Sequence, residues 1–417
     1  MNSRTKGAAS AVPSSSPAAL HRAAREWPFA LTTWVLAFVL VLQFAQIDVR
    51  YALTHGNWQA SPGTLIGRDF ANVFTAGHLL FEGGLATIYD VDAYQRYQAA
   101  LFEGRVGGHN YSYTPVSFFY VWLFALLPYG LSYILWTGLT GAAFLLAARP
   151  YLRDAGLPSW LAVITPAALL NVWAGHYGFL FGALWLGAWS LIDHRPKLAG
   201  LLVGLLIVKP HLAILMPLLL AARGAWRTFL VAASTVVCLI ICSGLAFGWQ
   251  LWADYFTDTI LHQAAMVDQT EGVFLWMMPT AYPGFRFSGL APGAAWLLQS
   301  ACALGAIGAM LRWMPRDPRL AGLAAATATF LVLPYAFNYD MTIIALAAVI
   351  LLHRAPNDAY AERVTAGLVL LLPTVVVFSN QAGLPIAPPL LLLLLGSLLA
   401  RRSEVSVLAY DRQQQAA

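Results

Sequence analysis

Residues 67–90, Gly-Arg-Asp-Phe-Ala-Asn-Val-Phe-Thr-Ala-Gly-His-Leu-Leu-Phe-Glu-Gly-Gly-Leu-Ala-Thr-Ile-Tyr-Asp, set a carboxylate beside a guanidinium in a chain that has few of either. An aspartate kept ionised by a neighbouring cation can take a proton from a hydroxyl, so Asp69 next to Arg68 is the first candidate for a general base. The competing reading is a helix N-cap that accepts a backbone N–H. Asp69 stands at the first turn of a stretch in which Phe70, Val73, Phe74, Leu80 and Phe81 recur at helical spacing. That stripe predicts an amphipathic helix lying on a membrane surface, with Asp69 where lipid, water and protein meet. Asp90 reads as the cap of a second helix over Val91–Phe102.

Lys209 is the second signal. It interrupts the apolar run 198–222, and an ionisable group inside such a run is costly enough to be functional by default. Pro210 breaks the helix there, and with His211 the lysine could meet a phosphate; the alternative is a lysine that snorkels to the interface. Asn171-Val172-Trp173-Ala174-Gly175-His176-Tyr177-Gly178 forms a polar and aromatic turn. An interfacial aromatic belt explains Trp173 and Tyr177, while Asn171 and His176 point to hydrogen bonding. Loop 248–291 offers His262 and Arg286, with Asp254, Asp258, Gln263, Asp268 and Glu271, among aromatics that suit a sugar; no metal-ligand spacing stands out. In Asn338-Tyr339-Asp340, Tyr339 is a binding candidate and Asp340 is either the cap of a helix over 341–353 or a site residue.

These residues need a membrane scaffold to hold them. Of the 417 residues 59% are hydrophobic and 10% charged, with a mean hydropathy of +0.65; soluble chains carry about a quarter charged residues. The fold class is all-α and polytopic. Residues 1–27 read as a disordered cytoplasmic tail, 28–402 as a transmembrane domain and 403–417 as a second cytoplasmic tail. Apolar segments at 28–47, 131–148, 159–173, 178–193, 198–222, 228–247, 292–311, 319–337, 341–353, 362–378 and 386–400 alternate with basic loops, among them Arg195 and Lys197, and Arg223 and Arg227. Placing the basic loops in the cytoplasm requires 198–222 to be two limbs meeting at Lys209-Pro210. The run Pro115–Leu127 is shorter than the ~20 residues a span needs and reads as re-entrant. About twelve transmembrane helices result, with both termini cytoplasmic, outer loops at 48–130 and 248–291, and the chemistry on the periplasmic or extracellular side of an inner membrane. Cys238, Cys242 and Cys302 read as core packing. No nucleotide-binding loop or zinc motif occurs, which directs attention to substrates activated on a lipid; nothing points to nucleic acid.

In order along the chain come Gly-Arg-Asp-Phe-Ala-Asn-Val-Phe, Gly-Gly-Leu-Ala-Thr-Ile-Tyr-Asp, Tyr113-Thr114-Pro115, Leu126-Leu127-Pro128 with Trp136, Gly175-His176, and Ala199-Gly200 through Lys209-Pro210 to Trp226. Together, over residues 65–350, they resemble glycosyltransferase family 87, whose members are polyprenyl-phosphate-mannose-dependent mannosyltransferases of the multispan GT-C class. The resemblance implies a GT-C-like fold, a polyprenyl-phosphate-linked sugar as donor, a glycan or glycolipid acceptor, Asp69 as base, and Arg68, Lys209 and His211 on the phosphate. It also adds Tyr113 to the substrate-binding candidates. Inversion could proceed without a metal, although a divalent cation is compatible with the class. The family usually has Gly-Gln at Gly175-His176 and Tyr-Pro-Pro at Tyr113-Thr114-Pro115, so the sugar is left open. The rival class is a transporter or flippase of polyprenyl-linked sugars.

Overall fold

A computed structural model describes residues 17–45, 48, 58–106, 108–267, 272–355 and 359–401; the sequence-predicted tail at 403–417, Asp268 and Glu271 lie outside them. The first helix, Pro17–Ala45, starts within the stretch read as a disordered tail. Apart from a two-stranded hairpin of Gln59–Ser61 and Thr64–Leu65, the described residues are helices and connecting turns.

Among the described residues, four helices are long and apolar enough to cross a membrane: Tyr129–Asp154, Trp226–Phe247, Pro292–Trp313 and Tyr360–Gln381. The other apolar helices among the described residues have 10–17 residues, so length and composition establish four spans and leave the expected count of about twelve unconfirmed. Proline divides the shorter ones in several places, because it starts a helix readily and cannot continue one. Pro166, Pro196 and Pro318 each open a helix at its first or second position. The expected break in 198–222 is present. Pro196–Leu205 passes through a 3-10 turn to Lys209, whose φ is −135° and ψ 69°, and a second 3-10 turn, Pro210–Ala213, leads to Met216–Ala222.

Pro318–Val332 and Thr342–Arg354 are too short to count as long spans yet are buried almost along their whole length. Being apolar all round, such helices belong in the middle of a bundle. With Phe144, Tyr151, Trp185 and Trp189 they form the larger core. A second, aromatic core gathers Phe70, Phe74, Tyr89, Tyr94, Tyr111, Tyr113, Phe118, Trp136 and Tyr177.

That second core corrects the reading of residues 70–81. The helix Phe70–Phe81 forms, but nine of its residues, including Asn72 and Thr75, are buried, so protein rather than a membrane surface covers it. Gly77 makes this contact: a Cβ there would lie 2.7 Å from the Val121 carbonyl oxygen on the helix Phe118–Ala125. Phe70 packs edge-on against Phe124 and lies beside Tyr129, Tyr133 and Trp136, pairs worth about 0.5–1.5 kcal/mol each beyond area burial. Of the exposed apolar side chains of this region, Phe81 is at the end of that helix, and Phe119, Trp122, Leu123 and Leu126 are on or just after Phe118–Ala125. Of the cysteines, Cys238 and Cys242 are exposed and Cys302 is half-buried; all three are free. The first two are therefore on a helix face and outside the core.

Candidate active site

The position of Asp69 is set by backbone. Gly67 adopts φ +74°, a region open to glycine at little cost, and the Tyr133 ring is 2.5 Å from where a Cβ would stand. The Gly67 and Asp69 amides donate to the carbonyls of Trp173 and Ala174, each at 3.0 Å. Tyr129 Oη donates to the carbonyls of Ile66 and Gly67 at 2.8 Å. On the same helix, Tyr133 Oη donates to the Val172 carbonyl and Trp136 Nε1 to that of Gly175. Tyr129–Asp154 thus clamps the Arg68-Asp69 turn and the Asn171–Gly178 turn together. Gly67→Ala should cost about 1–3 kcal/mol of stability through left-handed strain, checked as a fall in Tm of the detergent-solubilised protein.

Asp69 occupies the N-cap position of Phe70–Phe81, yet its side chain makes no cap hydrogen bond. The carboxylate points elsewhere. Oδ1 is 3.6 Å from Arg68 Nε and 3.7 Å from His109 Nε2, while the buried Oδ2 has no hydrogen-bond partner. Asp90, by contrast, caps Val91–Leu101 by accepting from the Ala93 amide, as expected.

Across the cleft, Lys209 is 6% exposed and does not snorkel. Its Nζ donates to both oxygens of Asp340, at 2.7 and 2.8 Å, and lies 5.7 Å from the Tyr339 ring centroid. Asp340 is therefore primarily the counter-ion of Lys209, with a long contact of 3.4 Å from the Phe337 amide. His176 lies over Tyr339, ring centroids 3.8 Å apart. Burial pushes the Tyr113 phenol well above its ordinary value, with the Asp69 charge next in effect. The phenol thus keeps its proton, and its oxygen shares a hydrogen bond of 3.3 Å with His176 Nε2, with the donor set by the imidazole tautomer. His176 Nδ1 lies 3.6 Å from Asp340 Oδ1, beyond hydrogen-bond distance.

Asp69, Tyr113, His176, Lys209, His211 and Tyr339 all line one cleft with about 490 Å³ of empty space. The cleft lies where the aromatic core meets a small cluster of Leu275, Met277, Met278, Phe337 and Tyr339. Other candidates do different work. Arg68 reaches outward, Nη2 on Met277 Sδ at 3.3 Å, and is not in the cleft wall. Tyr177 is stacked on Tyr113 at 3.8 Å and accepts from Tyr120 Oη, so it supports the wall from behind. Arg286 closes its own helix end by donating to the Leu290 carbonyl. His262 is not in the wall, whereas Gln263 is. Asn171 is fully buried, its Nδ2 bonded to the carbonyls of Ala167 and Tyr339, which ties two site-bearing turns. Asn171→Ala should cost about 1–3 kcal/mol by stranding a buried carbonyl, visible as lost thermal stability.

Residues outside the sequence-based candidates complete the wall with Gln263: Asn72, His109, Asn110, Ser112, Phe274, Tyr335 and Phe337. The one local signal for His109 is the polar and aromatic run His109-Asn110-Tyr111-Ser112-Tyr113. Among the described residues, five buried polar atoms on this wall have no hydrogen-bond partner: Asp69 Oδ2, Asn72 Oδ1, His176 Nδ1, His211 Nε2 and Gln263 Nε2. Orphaned polar groups are costly and few in folded proteins. Acceptors and nitrogen groups orphaned together suit a ligand with hydroxyls, which both donate and accept. No group of three or more His, Cys, Asp or Glu side chains among the described residues is arranged to hold a metal ion.

Comparison with known proteins gives one assignment. Neither the curated proteins nor the solved structures contain a significant match. Residues 111–337, more than half of the chain, match the profile of glycosyltransferase family 87. The matched stretch is narrower than the resemblance read over 65–350: it carries Tyr113, His176, Lys209 and His211, while Asp69 lies well before it and Asp340 just after it, and Asp69 is folded onto the same cleft. On the strength of that match, this chain belongs to glycosyltransferase family 87.

Proposed function

We propose that this membrane glycosyltransferase moves a hexose from a polyprenyl phosphate to a hydroxyl of an extracytoplasmic glycan or glycolipid, with inversion at the anomeric carbon. The observation that carries the reading is the pairing, across one cleft, of a carboxylate oxygen without a partner and a buried lysine. Asp69 Oδ2 is the base: it removes the acceptor's proton while that oxygen attacks the anomeric carbon and the carbon–phosphate oxygen bond breaks. Polyprenyl phosphate departs with the bonding electrons.

Charge sorts the donors. The cleft-facing cation is Lys209, and Asp340 already neutralises it, so with neutral histidines Asp69 and the outward Arg68 complete a balanced set. Such a site accommodates the single charge of a sugar phosphodiester more readily than a nucleoside diphosphate. An ammonium has three donors; two are on Asp340, leaving the third for a phosphate oxygen. His211 adds a second donor in its Nε2–H tautomer. These contacts strengthen as charge builds on the leaving oxygen, the kind of stabilisation that lowers a barrier. Tyr335, Phe337 and Tyr339 offer faces for the sugar ring. A divalent cation, where the reaction employs one, would find Asp69 and His109 side by side. The basic connections between apolar segments favour cytoplasmic termini and an outward-facing cleft in an inner membrane.

The test is incubation of purified protein with a panel of polyprenyl-phosphate hexoses and a saccharide acceptor, read by mass spectrometry. Transfer of one hexose with release of polyprenyl phosphate is expected. Movement of the donor across vesicles with no transfer would replace this reading with a flippase.

A further inference from the structure

The start of Phe70–Phe81 carries a slanting row of polar side chains, Asp69, Asn72 and Thr75, each three residues from the next. At that spacing neighbouring side chains are about 5–6 Å apart. Thr75 is satisfied: Oγ1 donates to the Ala71 carbonyl at 2.7 Å and accepts from Gln98 Nε2 at 3.4 Å. Gln98 Oε1 in turn accepts from the His109 amide at 3.0 Å, which ties the loop before Tyr113 to this helix. At Asn72 the bonding is one-sided. Tyr94 Oη donates to the Asn72 carbonyl at 2.7 Å, and Asn72 Nδ2 donates to the Asn110 carbonyl at 2.9 Å. A carbonyl can only accept, so the nitrogen must face Asn110 and Oδ1 is turned the other way.

Asn72 is 7% exposed and lines the cleft, and its Oδ1 has no hydrogen-bond partner. One turn back, Asp69 Oδ2 is in the same condition. Both atoms are acceptors, since an amide oxygen and an ionised carboxylate have no proton to give. Two unfilled acceptors one helical turn apart call for a ligand with two donors at neighbouring positions. In the displacement described above, the attacking hydroxyl fills the first by passing its proton to Asp69. The second is left for another donor on the same molecule. The phosphate departs toward Lys209 across the cleft, so the groups beside Asp69 meet the acceptor rather than the donor.

We infer that Asn72 is a specificity determinant for the acceptor: it selects a saccharide with a free hydroxyl on the carbon next to the one that attacks, and accepts a hydrogen bond from that hydroxyl. The assignment rests on Asp69 as the base for transfer to a hydroxyl. An alcohol with one hydroxyl would leave Asn72 Oδ1 stranded, and a buried acceptor without a donor is costly. Sites built to hydrogen-bond a substrate hydroxyl reject analogues that lack it for this reason.

Methyl hexopyranosides and their monodeoxy analogues, titrated into the full-length protein in detergent and followed by saturation-transfer NMR, test this without turnover. Removing the hydroxyl that Asn72 reads should weaken binding to the parent about 10- to 100-fold, and in Asn72→Ala that penalty should shrink to within about threefold. Asn72→Asp keeps an acceptor oxygen while giving up the bond to Asn110, so it should retain the penalty. A role confined to holding the loop would make the alanine and aspartate variants alike. The bond from the His109 amide to Gln98 remains in both, which keeps the loop attached. In transfer assays the deoxy position that Asn72→Ala forgives should be the neighbour of the newly glycosylated carbon, read from the product linkage. No deoxy penalty in the parent, an equal penalty in parent and Asn72→Ala, or a forgiven position remote from the new linkage would overturn the assignment. Binding that discriminates through Asn72, with no transfer from any donor, would leave Asn72 as a reader of hydroxyls and remove the transferase reading beneath it.

Discussion

Asp69→Asn should lower the transfer rate by about 10²–10⁴-fold, the contribution of a positioned base, while binding of the lipid-linked donor and the fold are retained. The geometry makes this a clean substitution. The carboxylate holds no helix cap, so the amide removes nothing that Phe70–Phe81 depends on. One oxygen is buried without a hydrogen-bond partner, and a buried acceptor left unsatisfied is destabilising even with Arg68 nearby to balance its charge. Tm of the asparagine variant should accordingly equal or exceed that of the parent, a gain in stability with a loss of activity, as expected where a site is kept reactive. Measuring kcat, donor affinity and Tm on one preparation checks all three. A cap role would give the opposite pattern: Asp69→Ser, a good cap, would then work while destabilising substitutions failed in proportion to helix loss. Transfer within about threefold of the parent in Asp69→Asn would exclude Asp69 as the base.

How much of this was legible in the sequence depends on where each residue's significance resides. Asp69 and Lys209 announce themselves because a charge in an apolar chain is expensive wherever the chain folds, and Pro210 marks the break that carries the lysine. His109 has no such signal: it stands in a stretch without periodicity, and only the fold brings it 3.7 Å from Asp69. His262 and Gln263 show the resolution limit of reading a loop by composition. Neighbours on a helix point about 100° apart, and the cleft receives the glutamine. Asn171 and Tyr177 are polar residues near the site whose hydrogen bonds go to the scaffold, a distinction that composition does not carry.

The fold follows the same division. Apolar content and proline spacing give an all-helical membrane protein and the broken helix at Lys209. Apolar segments of similar composition nonetheless became long spans, buried bundle helices and the short helix Phe118–Ala125, because length and neighbours, not hydropathy, decide among these. Phe70–Phe81 makes the case most clearly. Its amphipathic stripe is real, but Gly77 admits a second helix against it and Asn72 bonds the Asn110 carbonyl at 2.9 Å. The face read as exposed to water is therefore covered by chain.

The second large effect expected is at Lys209. Lys209→Met leaves the Asp340 carboxylate, whose side chain is 1% exposed, without its cation. Coulomb attraction inside protein is strong only while both partners are present, and removing one member of a buried pair costs about 3–5 kcal/mol. Tm should fall sharply, and lost transfer in this variant alone would say little about chemistry. Lys209→Met with Asp340→Asn separates the two roles. The neutral pair should regain most of the lost stability, since replacing both members of a buried ion pair is often neutral, while transfer and donor binding remain lost if the ammonium receives the phosphate. Asp340→Asn alone provides the complementary arm: it leaves the ammonium as the uncompensated charge, so stability falls while affinity for polyprenyl phosphate is kept or raised. Restored transfer in the double variant would mean that Lys209 and Asp340 only hold the turns at 209 and 340 together, and the phosphate would then have to be received by His211 without the cation.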